Sequence, residues 1–131
     1  MSRYVLDTNV ISDLTKGDSI ILTHLRSHRA DTIYLCQPVY FESLRGLLWK
    51  NAHVKIKSLE ALRELFTWVE LMDEDWTQAA QWWADTQSQG KQLADVDLLV
   101  AAVALRLNAI LVSADDDFDA LPVPRENWRV P

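Results

Sequence analysis

The sequence predicts an α/β fold, a parallel sheet covered on both faces by helices. Its apolar runs at residues 4–6, 32–35 and 109–112 are short and continuous instead of alternating, as strands buried on both faces require. Between them lie longer stretches with apolar residues three and four apart, so strands and helices take turns along the chain. With 131 residues and 15.0 kDa it has material for one core, and no linker divides it, so residues 1–131 read as a single domain.

Taken in order, Arg3-Tyr4-Val5-Leu6 is a strand stopped by Asp7-Thr8-Asn9, which are turn and capping types, and Val10, Ile11 and Leu14 begin a helix. Asp18 caps a second helix to about His28. Thr32-Ile33-Tyr34-Leu35 is the next strand, and Pro38 falls where a helix accepts proline, in its first turn. That helix carries Val39, Glu42, Leu44, Leu47 and Leu48. Residues 58–68 are amphipathic through Leu59, Leu62, Leu65 and Phe66, after which Val69-Glu70-Leu71-Met72 returns as a short strand. Asp75, with Gln78 three residues on, reads as a capping box for a helix whose apolar stripe is Trp76, Ala79, Ala80 and Trp83 and which stops at Gly90. Trp82 then lies on the polar face, an exposed aromatic suited to a partner or a stacked base. Residues 95–108 are apolar nearly all round, the mark of a buried helix. Ala109-Ile110-Leu111-Val112 is a strand, and Trp128-Arg129-Val130 is the expected last one.

Composition excludes several classes. Apolar residues make up 49% and charged ones 24%, with three Gly and four Pro, which is globular usage and rules out a low-complexity or collagen-like chain. The longest apolar run, Leu98 to Leu105, is eight residues, far short of the ~18 to 20 of a membrane span. No basic stretch precedes an apolar one near Met1, so no secretory signal is expected. The lone Cys36 sits in an apolar run and reads as a core residue, and both points favour the cytoplasm. A net charge of -6 argues against holding nucleic acid by bulk positive charge. The acids are concentrated: residues 71–131 hold eleven of the nineteen, against four of the thirteen basic residues.

Ligands of an open parallel sheet sit beyond the carboxyl ends of its strands. Asp7 follows the first strand and Asp115 follows the strand at 110–112, while Glu42 lies in the helix after the second strand and Asp97 in the first turn of the buried helix. Singly, each has an ordinary role as a helix cap, a helix-dipole partner or a hydrated surface charge. Together, four segments deliver a carboxylate to one rim, and such a set repels itself unless a cation compensates it. An all-oxygen shell suits Mg²⁺ or Mn²⁺. His24 and His28 have the spacing of a zinc pair but no third ligand nearby. The chain has no phosphate-binding glycine loop and no nucleophile elbow. Arg45, Lys50, His53, Lys55 and Lys57 form the only basic cluster; Arg45 and Lys50 are the expected phosphate contacts.

These residues resemble the PIN-domain ribonucleases, and within them the VapC-type toxins of prokaryotic toxin–antitoxin pairs. Tyr4-Val5-Leu6-Asp7-Thr8-Asn9 is similar to the family's opening strand and first acid, and Pro38-Val39 through Glu42-Ser43-Leu44-Arg45-Gly46 to its second-acid helix. Asp97-Leu98-Leu99-Val100-Ala101-Ala102 resembles the segment with the third acid, and Leu111-Val112-Ser113-Ala114-Asp115-Asp116-Asp117-Phe118 the segment with the fourth, with Ser113 in place of the commoner Thr. The resemblance implies a PIN-like three-layer α/β/α sandwich and a metal-dependent endoribonuclease restrained by a cognate VapB-type antitoxin. It implies Asp7, Glu42, Asp97 and Asp115 as catalytic and Mg²⁺-binding residues, with Mn²⁺ able to substitute, Thr8, Asn9 and Ser113 supporting them, RNA as substrate and a homodimer as the assembly. Two other classes fit less well. A phosphatase or phosphotransferase with an aspartyl nucleophile often needs a second Asp where Asn9 stands, and a purely binding member of the fold has no use for four mutually repelling acids.

Overall fold

The computed structural model describes residues 1–131. In chain order the elements are β1 (Arg3–Leu6), α1 (Thr8–Thr15), α2 (Ser19–Ser27), β2 (Thr32–Cys36), α3 (Gln37–Trp49), α4 (His53–Leu65), β3 (Thr67–Val69), α5 (Asp73–Ser88), α6 (Asp95–Arg106), β4 (Ile110–Val112), a 3-10 turn at Asp116–Ala120 and β5 (Arg125–Glu126). All strand pairs are parallel and the order across the sheet is β3-β2-β1-β4-β5. Right-handed crossovers carry α1 to α4 over one face; the chain then reverses direction across the sheet, so α5 and α6 cover the other. The result is the expected three-layer α/β/α sandwich.

The continuous apolar strands are buried for the reason given by their composition. Val5, Leu6, Leu35, Leu111 and Val112 are shut off from solvent, and each contributes about 1.5–3 kcal/mol by burial. Helix α6 lies at the heart of the core, with Leu98 through Ala104 all buried. Asp18 caps α2 by accepting the amide of Ile21 at 3.0 Å, and Pro38 occupies the first turn of α3.

Four expectations are corrected. Helix α5 turns Asp75, Ala79, Trp82 and Thr86 inward, so Trp82 is buried, whereas Trp76 and Trp83 are exposed. Burial of Trp82 and Ala79 favours that face, and Arg106 of α6 satisfies the Asp75 carboxylate that goes in with them, bonding Oδ1 at 2.9 Å and Oδ2 at 3.0 Å and also reaching the carbonyl of Glu70. Asp75 is also not the cap itself: it stands three residues inside the helix and accepts the amide of Met72 at 2.9 Å, leaving Gln78 without that role. Helix α4 begins at His53, so the basic run is helical, and its strand follows at Thr67–Val69 instead of 69–72. Trp68 is held there under Arg63, 3.9 Å from its ring, with Tyr40 edge-on. The last strand is Arg125–Glu126, and the sheet gains no strand at Trp128. Trp128 is instead buried against Tyr4 and stacked on His24 and His28. With His28 also bonded to Asp31 and His24 to the carbonyl of Val130, the histidine pair has structural work, not a zinc site's geometry.

The chain leaves β1 toward β2 on one side and returns to β4 on the other. The crevice at the carboxyl ends of β1 and β4 is therefore the topological switch point, where such sheets bind ligands.

Candidate active site

Asp7 leaves β1 at that crevice, its amide bonded to the carbonyl of Val112 at 3.0 Å. It holds the N-cap position of α1, yet its side chain caps nothing. Oδ2 accepts from Ser113 Oγ at 2.8 Å and from Asn9 Nδ2 at 3.1 Å, while Oδ1 is buried without a hydrogen-bond partner. A capping residue has its carboxylate on the helix amides; Asp7 has it turned into the crevice.

Ser113 follows β4 and is fully buried. Its hydroxyl donates to Asp7 and accepts from Asn9 Nδ2 at 3.0 Å and from the Asp115 amide at 3.0 Å, which uses all its hydrogen-bonding capacity. Asn9 closes the ring by accepting the Ala114 amide at 3.3 Å. Thr8 Oγ1, in contrast, is buried and unpartnered. Of the three supporting residues named from sequence, Asn9 and Ser113 thus clasp Asp7 and Thr8 does not.

Asp115 caps the 3-10 turn through the Asp117 amide and is half-buried, whereas Asp116 and Asp117 are exposed. Asp97 sits three residues into α6, half-buried, and Asp95 is exposed. Glu42, half-buried on α3, has only a long 3.5 Å contact with Arg45. Burial, followed by the charges of Asp7, Asp115 and Glu42, pushes the Asp97 carboxyl up to about 7. Burial also raises Asp7; the Ser113 hydroxyl and the nearby Thr8 amide oppose it, and the charges of Glu42 and Asp115 add to it. The four acids from four segments therefore feel one another across the crevice. They do not close to ligating distance: the one triplet with carboxylate oxygens within 4.8 Å of one another is Asp115, Asp116 and Asp117.

Arg125, unremarked in the sequence, shapes this rim. Its guanidinium bonds the Ser113 carbonyl at 3.0 Å and both oxygens of Asp119 at 2.8 and 3.0 Å, fixing the loop that carries Asp115. Only the register of β5 against β4 brings it there, and no local pattern announces that pairing. Lys91 reaches the same turn, 3.5 Å from Asp117. Arg45, Lys50, His53, Lys55 and Lys57 are all exposed on α3 and α4. Cys36 is buried, and burial pushes its thiol up to about 12, which excludes a thiolate nucleophile.

Residues 4–124 match the family model described as PIN domain. The chain belongs to the PIN domain family. Within it the chain is a VapC ribonuclease relative: it is 30% identical to ribonuclease VapC11 of Mycobacterium tuberculosis over 105 residues, 79% of this chain and 76% of that one. It is 27% identical to ribonuclease VapC1 of Haemophilus influenzae over 113 residues, 84% of each chain. The PIN fold is the same as that of VapBC2 from Rickettsia felis, solved bound to a DNA fragment from its promoter, with a TM-score of 0.87 at 21% identity over 96% of this chain and 98% of that one. PIN nucleases generally use a divalent metal, and this chain has an acidic cluster at Asp115, Asp116 and Asp117. No helix of the chain is long and apolar enough to cross a membrane.

Proposed function

We propose that this PIN chain is a Mg²⁺-dependent endoribonuclease, the toxin of a toxin–antitoxin pair, hydrolysing phosphodiester bonds in cellular RNA, with exposed loops of tRNA or rRNA as targets. The observation that carries this reading is Asp7: a buried carboxylate with one oxygen lacking any partner, facing three other acids, one of them pushed up to about 7. Such a donor set fits a hard divalent cation and little else, because a cation satisfies the orphaned oxygen and the surplus charge together.

Asp7, Glu42, Asp97 and Asp115 would hold the ion, Mg²⁺ or in its place Mn²⁺. When bound, it supplies a Lewis acid for the phosphate oxygens and makes a nearby water more acidic. The chain's own residues supply position. Ser113 and Asn9 lock the Asp7 rotamer, so its free oxygen is aimed before any ligand arrives. Arg125 does the same for the Asp115 loop. Arg45 and Lys50, exposed on the Glu42 helix, meet the RNA phosphates. An aspartyl phosphatase is disfavoured because Asn9, where the second acid belongs, spends its amide on Asp7, Ser113 and Ala114.

As similar solved structures are VapBC complexes, a VapB-type antitoxin is the expected partner, an Arg or Lys from it pairing with the acids and keeping metal out. A cytoplasmic homodimer is the expected setting. The test is purified protein with total cellular RNA, in Mg²⁺ or in chelator, with product ends mapped. Discrete cuts that vanish in chelator and in Asp97→Asn are expected. Cleavage indifferent to chelator overturns the metal reading, and growth inhibition unrelieved by the protein encoded beside this one overturns the toxin–antitoxin assignment.

A further inference from the structure

A second cavity opens beside the acid cluster, between α1 and α3, with Ile11 and Leu47 supplying apolar surface to its wall. It has a volume of about 160 Å³, and its wall includes Thr8, Ser12, Glu42, Ser43, Gly46 and Lys50. Glu42 thus belongs to both the crevice and this cavity. Lys50 stands at the end of α3 with an ammonium engaged in no ion pair. The hydroxyls of Thr8 and Ser43 are bonded to nothing and lie behind the wall, shut off from solvent, so the polar groups an occupant can reach are those of Ser12, Glu42 and Lys50.

Gly46 gives the cavity its meaning. It lies within α3, where glycine destabilises a helix relative to alanine. Neither of the usual structural reasons for glycine applies: its φ is not positive, and a Cβ built on it meets nothing within 4 Å. The missing side chain therefore serves space, and the space is this cavity.

We propose that the cavity is a nucleotide subsite, holding one residue of the RNA immediately beside the cleaved phosphodiester. This rests on the ribonuclease reading above. A nucleotide matches the wall in chemistry: phosphate for the Lys50 ammonium, donors of a base or ribose for the Glu42 carboxylate, and a donor or acceptor for the Ser12 hydroxyl. A cavity of this size selects by shape, so Gly46 is a specificity-determining position and the cleavage preference of this chain is set partly on α3.

The test is a graded filling of the cavity, Gly46→Ala and Gly46→Leu, with Ser12→Val as a change in the opposite wall. The probe is an RNA oligonucleotide pool with a randomised central segment, cut in Mg²⁺ and sequenced at the new ends. KM should rise with side-chain volume, by about tenfold or more for Leu, and base preference at one position next to the cut should flatten. Melting temperature should rise in Gly46→Ala, since alanine suits the helix and meets no clash. That pairing of a stabler protein with weaker RNA recognition is not produced by a structural defect. Wild-type preference and KM retained in Gly46→Leu overturns the subsite while leaving the ribonuclease standing. Weakened antitoxin inhibition in that variant, with RNA kinetics unchanged, assigns the cavity to the antitoxin and likewise overturns it. A wild-type chain that cuts no RNA overturns both readings.

Discussion

Ser113 Oγ donates a 2.8 Å hydrogen bond to Asp7 Oδ2, joining the ends of two strands that are 106 residues apart in the chain. The bond lies across the switch point of the sheet and selects which Asp7 oxygen stays free. Asn9 touches both partners, so the three side chains act as one clasp. Because Ser113 is fully buried, its hydroxyl has no water to fall back on.

Ser113→Ala should therefore leave Asn9 Nδ2 and the Asp115 amide without their shared acceptor and cost about 1–3 kcal/mol of stability. Asn9→Ala should cost a similar amount. The double variant should lose clearly less than the sum, since both changes break one network. Urea melts of the four proteins measure the coupling, and strict additivity would show that the clasp is two separate contacts.

Divalent metal should stabilise the fold, because only the native chain gathers the acids. At 100 times Kd the linkage is worth about 2.7 kcal/mol. Thermal melts with and without Mn²⁺ should show the shift in wild type and a much reduced one in Asp7→Asn, which removes the buried oxygen best placed to meet a cation. No shift at millimolar metal counts against the site.

Both the clasp and the acidic rim are partly legible in the sequence. Continuous apolar runs announce buried parallel strands, and a parallel sheet places Asp7 and Asp115 at one edge whatever the details of its loops. Helix phase lets only one of Asp95 and Asp97 face the rim, and the resemblance to the PIN family selects Asp97. What failed to show was set by long-range pairs. The outward stripe of α5 looked apolar enough to be core, but the face with Trp82 and Ala79 is the buried one, and the Asp75 that it takes in is tolerated only because Arg106, 31 residues on, pairs with it. Trp128 looked like a strand residue, and the stack of Tyr4, His24 and His28 took it instead. Arg125 reaches Ser113 only through the pairing of a two-residue strand, too short to leave a pattern.

The raised Asp97 carboxyl sets a pH dependence of definite sign. Its value rises from 3.8 to about 7 on folding, so between these limits the native state holds a proton that the unfolded chain has lost. Its contribution to stability is present in full below about pH 4 and is lost as pH climbs to 7. Asp7 is shifted in the same direction. The metal-free protein should accordingly melt at lower temperature at pH 8 than at pH 5, and Asp97→Asn should flatten that slope. Metal affinity should run the opposite way and strengthen through pH 7, because the cation needs the carboxylate. Melting curves across this range in chelator and in Mn²⁺ read both effects, and equal slopes in wild type and Asp97→Asn would remove Asp97 as their source.

The same helix offers an internal control. Asp95 and Asp97 are two residues apart in the first turn of α6, about 200° apart around its axis, so only one of them can face the crevice. Asp97 is half-buried and answers to the charges of Asp7, Asp115 and Glu42, whereas Asp95 is exposed and lies at an apolar groove with Trp76, Trp83 and Leu99. Both carboxylates favour the helix dipole; only Asp97 is charged against its own neighbours. Asp97→Asn should thus abolish RNA cleavage, keep the fold, and raise the melting temperature of the metal-free protein at pH 8 by relieving that repulsion. Asp95→Asn should cost between a few tenths and about 1 kcal/mol and keep most of the cleavage. Cleavage of one RNA at fixed Mg²⁺, with circular dichroism on both variants, separates the two roles. An active Asp97→Asn beside a dead Asp95→Asn would mean that α6 presents its other side to the substrate, and with it a different set of acids.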